Sequence, residues 1–245
     1  MSTALPPGVG MKEPDDPTLS TRSPDFEELL QQRYSCRAYL PTQVPRKTIT
    51  DFLELAQRTA SWCNSQPWHA TITSGEATQR FRTALLDLAS APTVDRNTDF
   101  PFPREYKGAY LDRRRECGFQ LYESVGIARG DRVASAKQSL ENFRLFGAPH
   151  LAIITTDEAL GIYGAIDCGA YISNFMLAAR SFGVASIAQA ALATQSSFIR
   201  SYFSVPQGRM MVCGISFGFE DKKHAANSFR TRRADLDEAV TFIDN

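Results

Sequence analysis

One run of the chain, residues 163–182, restricts the fold more than any other. Apolar side chains would cover most of its circumference if it were a helix; they are Ile166, Tyr171, Ile172, Phe175, Met176, Leu177, Ala178 and Ala179. A helix that is apolar nearly all round is buried, either in the core of its own domain or between two subunits. The sequence therefore predicts a long buried helix around which the other elements pack.

Shorter helices and a few strands surround this run. Helical patterns lie at residues 25–33, 45–56, 76–90, 116–125, 133–145, 196–202 and 236–243. Strand patterns lie at residues 69–73, 150–156 and 210–217, and the second of these is largely apolar, as is typical of a central strand. The Ala-rich residues 184–192 predict a turn. Helices interspersed with non-consecutive strands indicate an α+β or α/β sandwich.

Length and charge limit what the chain can do. Its 245 residues, 43% of them hydrophobic, suffice for a single large domain over residues 25–245. The 27 basic and 27 acidic residues balance, which argues against a nucleic-acid or anionic-membrane surface. No run of about 18 apolar residues predicts a membrane span. Residues 1–24 are polar and lack the apolar core of a secretory signal, so we expect a disordered arm or one that orders on a partner.

Cysteine and histidine residues are few and scattered. The five cysteines are odd in number and form no C-x-x-C pair, which indicates free thiols in a reducing cytoplasm. The histidines at 69, 150 and 224 are too dispersed to favour a metal site and are interpreted as structural. The sequence therefore predicts no metal centre.

Two segments have the composition of binding surfaces. Residues 61–69 connect a predicted helix to a predicted strand, yet they hold both tryptophans, a proline and several amide and hydroxyl groups. This aromatic loop is expected to face a ligand or a partner chain. Residues 91–132 contain three prolines and the run Arg113–Arg115, in what we expect to be the longest irregular part of the chain. Such segments are often lids or substrate loops, although a solvated helix face accounts better for the three arginines.

Four separated segments resemble the FMN-dependent nitroreductase family. They are residues 33–37 (Arg-Tyr-Ser-Cys-Arg), 64–68 (Asn-Ser-Gln-Pro-Trp), the turn at 183–192, and 230–233 (Arg-Thr-Arg-Arg). Each is weak alone, but all four occur in order on a chain of suitable length. The resemblance runs from about residue 25 to the end, and residues 104–131 are most similar to the nitrobenzoate-type branch.

The resemblance implies a fold, a cofactor and a reaction. The fold is a nitroreductase-like α/β sandwich of the α+β class, with a central, mostly antiparallel sheet flanked by helices, in a homodimer with one FMN at each subunit interface. The reaction is a ping-pong transfer in which NAD(P)H gives hydride to flavin N5, and the flavin then reduces a small nitroaromatic or quinone-type acceptor. Such chemistry needs no acid–base triad, and none is visible in the sequence.

Alternatives within the same fold are a reductive dehalogenase and an oxygen-dependent flavin-degrading enzyme. A further alternative is a flavin-binding dimer without catalysis. The sequence does not choose between NADH and NADPH, and it does not identify the physiological acceptor.

The resemblance also assigns cofactor contacts. Arg33 and Arg233 would hold the phosphate, because planar guanidinium groups suit its oxygens, and Arg230 is a further candidate. Arg37 would lie near flavin N1 and O2, where it would stabilise the negative charge of the reduced ring. For any one of these arginines the alternative is a solvated surface residue. Two neighbours would add hydrogen bonds to the cofactor: Tyr34 and Ser35.

The aromatic loop and the turn near residue 189 complete the implied site. Three side chains of the loop would reach the flavin of the other subunit, where hydroxyl and amide groups suit its polar edge: Ser61, Asn64 and Gln66. One backbone N–H of the turn would meet flavin N5, from among Ala188, Gln189 and Ala190. Trp62 and Cys63 would line the substrate side, and burial in the dimer interface explains Trp62 equally well.

Overall fold

The computed structural model describes residues 25–91 and 97–244. The predicted N-terminal arm, residues 1–24, lies outside the described residues. The α-helices of the described part are α1 Phe26–Gln32, α2 Arg46–Ala56, α3 Glu76–Ser90, α4 Gly108–Ser124, α5 Arg132–Leu140, α6 Gly161–Ser181 and α7 Ser196–Tyr202. The strands are β1 His69–Ser74, β2 His150–Asp157, β3 Ala185–Gln189 and β4 Arg209–Gly218.

The four strands form one antiparallel sheet in the order β1-β2-β4-β3. Strand β2 is internal, and its residues 150–156 are all buried, which explains why its sequence is nearly continuously apolar. Side chains of successive β2 residues point to opposite faces of the sheet. Ala152 and Ile154 accordingly pack into one core with α2 and α6, whereas Leu151 and Ile153 pack into a second core with α3 and α7. The predicted α+β class with a mostly antiparallel sheet is confirmed.

Helix α6 is buried along one face only. Phe175 of α6 makes edge-to-face contacts with Phe52 of α2 and Phe217 of β4, at centroid distances of 5.2 and 5.6 Å. Its opposite face and N-terminal turn expose Ile162 and Ile166 to 73% and 57%. The sequence predicted a helix buried nearly all round. Within a single chain, only one face of α6 is buried, and apolar side chains on the rest of the helix remain exposed to solvent.

Several predicted elements differ from the structure. The Ala-rich residues expected to form a turn include strand β3, because pairing with β4 imposes an extended conformation that Ala alone does not favour. Residues 97–132 are less irregular than predicted, because α4 begins at Gly108 rather than near 116. Helix α5 ends at Leu140, five residues before the predicted end. The predicted last helix, residues 236–243, is a single 3₁₀ turn, since its apolar side chains have nothing to pack against.

Candidate functional site

A groove with a volume of ≈ 700 Å³ runs between the end of α1 and the C-terminal segment. It is lined by four arginines that lie far apart in the sequence: Arg33, Arg37, Arg230 and Arg233. Tyr34 and Ser35 form part of the same wall, and Met176 and Leu177 of α6 supply apolar surface. The structure thus brings together Arg33, Arg230 and Arg233, which were predicted to contact the phosphate, and Arg37, which was predicted to lie near the flavin ring.

Four arginines and one carboxylate, Glu27, line the groove, so its charged side chains sum to a net positive charge. Burial lowers the pKa of Arg33, and the nearby charge of Arg233 lowers it further. Burial also lowers the pKa of Arg37. Within residues 25–91 and 97–244, none of the four arginines forms an ion pair. Partly desolvated guanidinium groups without counter-ions favour a bound anion.

Tyr34 supports Arg230 in this wall. The guanidinium of Arg230 lies over the Tyr34 ring at 3.5 Å from the centroid, which is a close cation–π contact. The Tyr34 hydroxyl donates to Glu220 Oε2 at 2.7 Å. Burial and this hydrogen bond raise the pKa of Tyr34 above its usual value. Tyr34 is therefore a fixed platform that sets where the Arg230 side chain can lie.

A second recess, with a volume of ≈ 310 Å³, adjoins the groove. Ser35 and Arg37 line both, so Arg37 stands where the two meet. The far walls come from the end of β3, the last turn of α4 and the segment that follows α5; they include Ala188, Ala190, Leu121, Tyr122 and Asn142. A single extended cavity therefore runs from the four arginines to the end of β3.

The end of β3 offers an unpaired strand edge to this recess. Strand β3 is at the edge of the sheet, and Ser186 accepts a hydrogen bond from the N–H of Cys36 on its outer side, at 3.2 Å. Backbone groups alternate in direction along a strand, so Ala188 turns its N–H outward like Ser186, whereas Gln189 turns its N–H toward Gly214 of β4.

The side chain of Gln189 is not free to bind a ligand. It is 2% exposed, its Nε2 donates to the Asn142 carbonyl at 2.9 Å, and its Oε1 accepts from the Ser216 hydroxyl. All three predicted turn residues line the recess, but Ala188 and Ala190 are exposed there, whereas the side chain of Gln189 is buried and bonded within the protein.

The aromatic loop lies outside both cavities of its own chain. Cys63, Asn64 and Gln66 have φ of 52°, 54° and 45°, a left-handed conformation that is costly for residues other than glycine and is concentrated at functional sites. Polar groups of the loop form hydrogen bonds within the loop and with α6. The Ser61 hydroxyl accepts from Gln66 N–H at 2.9 Å, and the Asp167 carboxylate of α6 accepts from Trp62 N–H.

The two tryptophans of the loop differ. Trp68 is 8% exposed and stacks on Tyr171 at 4.9 Å, and its Nε1 donates to Gln57 at 3.0 Å, as expected of a core residue. Trp62 remains 61% exposed and contacts Tyr163 at 4.6 Å. The exposed surface of Trp62 adjoins the uncovered N-terminal part of α6.

Sequence reasoning missed several groove residues. Cys117 of α4, Phe229 and Met176 line the first groove, and Asn142 lines the second recess. Cysteine, phenylalanine, methionine and asparagine are common throughout proteins, so these residues do not indicate a cofactor site in the sequence. They line the cavity only because the fold places them there. Asn227 was also missed, although it stands three residues before Arg230.

No group of three His, Cys, Asp or Glu side chains in residues 25–91 and 97–244 is placed to hold a metal ion. None of the helices in these ranges has the length and apolarity required to cross a bilayer.

Comparisons with known proteins agree with the resemblance seen in the motifs. The model of the nitroreductase family matches residues 30–219. Nitroreductase NfnB of Mycolicibacterium smegmatis is 35% identical over 218 residues, covering 88% of this chain and 92% of that protein. A 4-nitrobenzoate reductase of Nocardioides sp. is 36% identical over 225 residues, covering 89% and 90%.

A solved structure shows the same similarity. The crystal structure of the FMN-dependent nitroreductase NfnB from Mycobacterium smegmatis in complex with NADPH superposes with a TM-score of 0.84 at 34% identity. The match covers 89% of this chain and 97% of that one.

Proposed function

Because the chain belongs to the nitroreductase family, we propose that it is an FMN-dependent NAD(P)H oxidoreductase that reduces nitroaromatic or quinone-type acceptors. When bound, FMN would take two electrons from NAD(P)H and pass them to the acceptor. The observation that carries the proposal is the cavity itself. Arg33, Arg230 and Arg233, which form no ion pair within the described residues, occupy one end. The edge of β3 occupies the other end, and Arg37 stands between the two.

The groove fits the phosphate and ribityl parts of FMN. Its volume of ≈ 700 Å³ lies within the usual range for ligand sites, roughly 300–1,000 Å³. Burial and, to a smaller extent, the nearby charge of Arg233 lower the pKa of Arg33, so the two guanidinium groups repel one another when no anion lies between them. A phosphate between them would remove that repulsion, and Arg230, held over Tyr34, would add a third guanidinium. Ser35 lines the wall between this phosphate end and Arg37.

The second recess fits the flavin ring. Arg37 would place a fixed positive charge beside the pyrimidine edge and favour the reduced state, which carries additional negative charge there. The outward N–H of Ala188, or that of Ala190 in the 3₁₀ turn that follows β3, would face flavin N5. Gln189 is assigned a structural role instead, because its backbone N–H turns toward Gly214 of β4 and its side chain is buried and hydrogen-bonded within the protein.

A second copy of the chain would complete the site. The aromatic loop lies outside its own cavities, so Ser61, Asn64 and Gln66 would contact the FMN of the partner. The uncovered apolar face of α6, with Ile162 73% and Tyr163 59% exposed, would be buried in the same interface. In that arrangement, Trp62 and Cys63 border the acceptor.

Residues 91–132 would form part of the wall that selects the acceptor, since Leu121 and Tyr122 already line the second recess. We place the enzyme in the cytoplasm, in keeping with five unpaired cysteines.

The test uses purified, FMN-loaded protein. We expect a yellow protein that oxidises NADPH or NADH faster when 4-nitrobenzoate or a quinone is added, and a dimer by light scattering. Protein that cannot be loaded with FMN contradicts the proposal. Rapid loss of flavin in air with slow reduction by NAD(P)H would instead support flavin degradation, and chloride release from a halogenated arene would support reductive dehalogenation.

A further inference from the structure

We infer that Asn227 is a positioning residue: its buried amide fixes Arg37 in the cavity and thereby sets the potential of the cofactor that Arg37 faces. This inference rests on the proposed function, because it requires FMN to lie beside Arg37. Asn227 lies in the 3₁₀ turn Ala225–Asn227, close to the arginine-rich C-terminal segment, and is 5% exposed.

The amide of Asn227 is fully used by two separate parts of the chain. Its Oδ1 accepts from the N–H of Arg37 at 2.7 Å. Its Nδ2 donates to the carbonyl oxygens of Ala38 and Asp221, both at 2.9 Å. An amide has two donors and one acceptor oxygen, so every proton is paired. The side chain therefore joins the backbone at Arg37 to the turn at Asp221.

The backbone of Asn227 has a different task. Its carbonyl oxygen accepts a hydrogen bond from Arg230 Nη1 at 2.8 Å. Arg37 itself lies over the ring of Phe229 at 5.4 Å, two residues further on. One residue thus holds Arg37 through its side chain and Arg230 through its main chain, and a substitution separates the two functions.

Few other contacts hold Arg37. Its Nη1 donates to the carbonyl oxygen of Ser35 at 3.0 Å, and this hydrogen bond joins residues only two positions apart. Burial already lowers its pKa, so its charge is poorly solvated and acts more strongly on a nearby ring than it would in water, in inverse proportion to the distance between them. Loss of the Asn227 amide would free the backbone at Arg37 and would leave the carbonyl oxygen of Ala38 with one partner fewer.

The test compares Asn227→Leu and Asn227→Ala with wild type. Leu has nearly the shape of Asn but no hydrogen bonds, and Ala admits water if Leu does not fold. The measurements are a spectroscopic redox titration of bound FMN and the dissociation constant of oxidised FMN. The matched control is Thr78→Val, which removes a buried hydrogen bond to Thr73 of 2.8 Å, remote from the cavity.

In the Asn227 variants we expect the affinity for reduced FMN, relative to oxidised FMN, to fall about tenfold, equivalent to about 30 mV for a two-electron couple. The dissociation constant of oxidised FMN should change less than about threefold, since the carbonyl of residue 227 still holds Arg230. Thr78→Val should leave the potential unchanged. Arg37→Gln should lower the potential, and adding Asn227→Ala to it should lower it little further, because both act through one group.

An effect of Asn227→Ala below about threefold, beside a clear effect of Arg37→Gln, overturns the role of Asn227 alone. The role of Asn227 is also overturned if the potential of the double variant falls by the sum of the two single-variant shifts. If wild-type protein binds no FMN, or if Arg37→Gln leaves the potential unchanged, both the proposed function of Arg37 and the role of Asn227 are wrong.

Discussion

His150 should make the protein lose stability at mildly acidic pH. The side chain is 1% exposed at the start of β2 and stacks on Phe217 at 5.0 Å. Val44 N–H donates to its Nε2 at 2.9 Å, so the ring proton is on Nδ1, where it meets the Ser74 hydroxyl at 2.9 Å. Burial lowers the pKa of His150 from 6.5 to about 4. A second ring proton would collide with the Val44 N–H.

The magnitude follows from the two pKa values. Below about pH 6.5 the unfolded chain takes up a proton that the folded chain refuses, so stability falls as the pH is lowered, and the loss ends near pH 4. Each pKa unit is about 1.4 kcal/mol, so the full loss is about 3 kcal/mol, of which about 2 kcal/mol occurs between pH 7 and pH 5. Above about pH 6.5 this residue makes no further difference.

The assay is urea unfolding at about pH 7 and about pH 5, at one protein concentration and with flavin either saturating or removed throughout. His150→Gln keeps an acceptor for Val44 but cannot be protonated in this range, so its free energy of unfolding should change less between the two pH values, by about 2 kcal/mol. His69→Gln, at an exposed site, serves as the control and should behave as wild type. If wild type and His150→Gln lose the same free energy, the reasoning about His150 is wrong.

Three further outcomes are expected. Arg233→Ala should weaken FMN binding roughly 10- to 100-fold, which is the value of a hydrogen bond to a charged group. Arg232→Ala should not weaken it, because the Arg232 side chain is 82% exposed and paired with Glu116. Equal losses of affinity in the two variants would contradict the assignment of Arg233 to the phosphate. Cys63, the one exposed cysteine among the described residues, should react first with a thiol reagent, as peptide mapping would show. Gly214→Ala should cost about 1–3 kcal/mol in urea unfolding, because a Cβ there would lie 2.5 Å from Leu192 Cδ1; an unchanged midpoint would refute that.

The elements that could be predicted from sequence are those whose own pattern determines them. Helix α3 occupies the predicted residues 76–90, because Phe81 and Leu85 recur at helical spacing after a glycine. Strand β3 could not be predicted, because five residues of Ala, Ser, Ile and Gln become a strand only by pairing with β4. The failed helix at residues 236–243 shows the converse: its spacing is helical, but Phe242 and Ile243 are 76% and 84% exposed and find no core in the chain.

The candidate site follows the same division. The arginines at 33, 37, 230 and 233 could be proposed from motifs, because charge and position in a motif are visible in a sequence. Asn227 could not, since its importance comes from three hydrogen bonds to backbone atoms nearly 190 residues away or in the adjacent turn. The aromatic loop was recognised from composition, but its left-handed residues and its support by Asp167 are visible only in three dimensions.

Strand β4 has a consequence for the order in which the protein is made. It pairs with both β2 and β3, yet it is the last strand of the described residues. A nascent chain that stops before residue 209 can therefore pair β1 with β2, but it has no strand with which β3 can pair. Contacts of such long sequence separation form late and slowly. The arginines at 230 and 233 emerge later still. In the proposed site, cofactor loading therefore requires synthesis through residue 233, and bound flavin would mark molecules in which all four described strands have already paired.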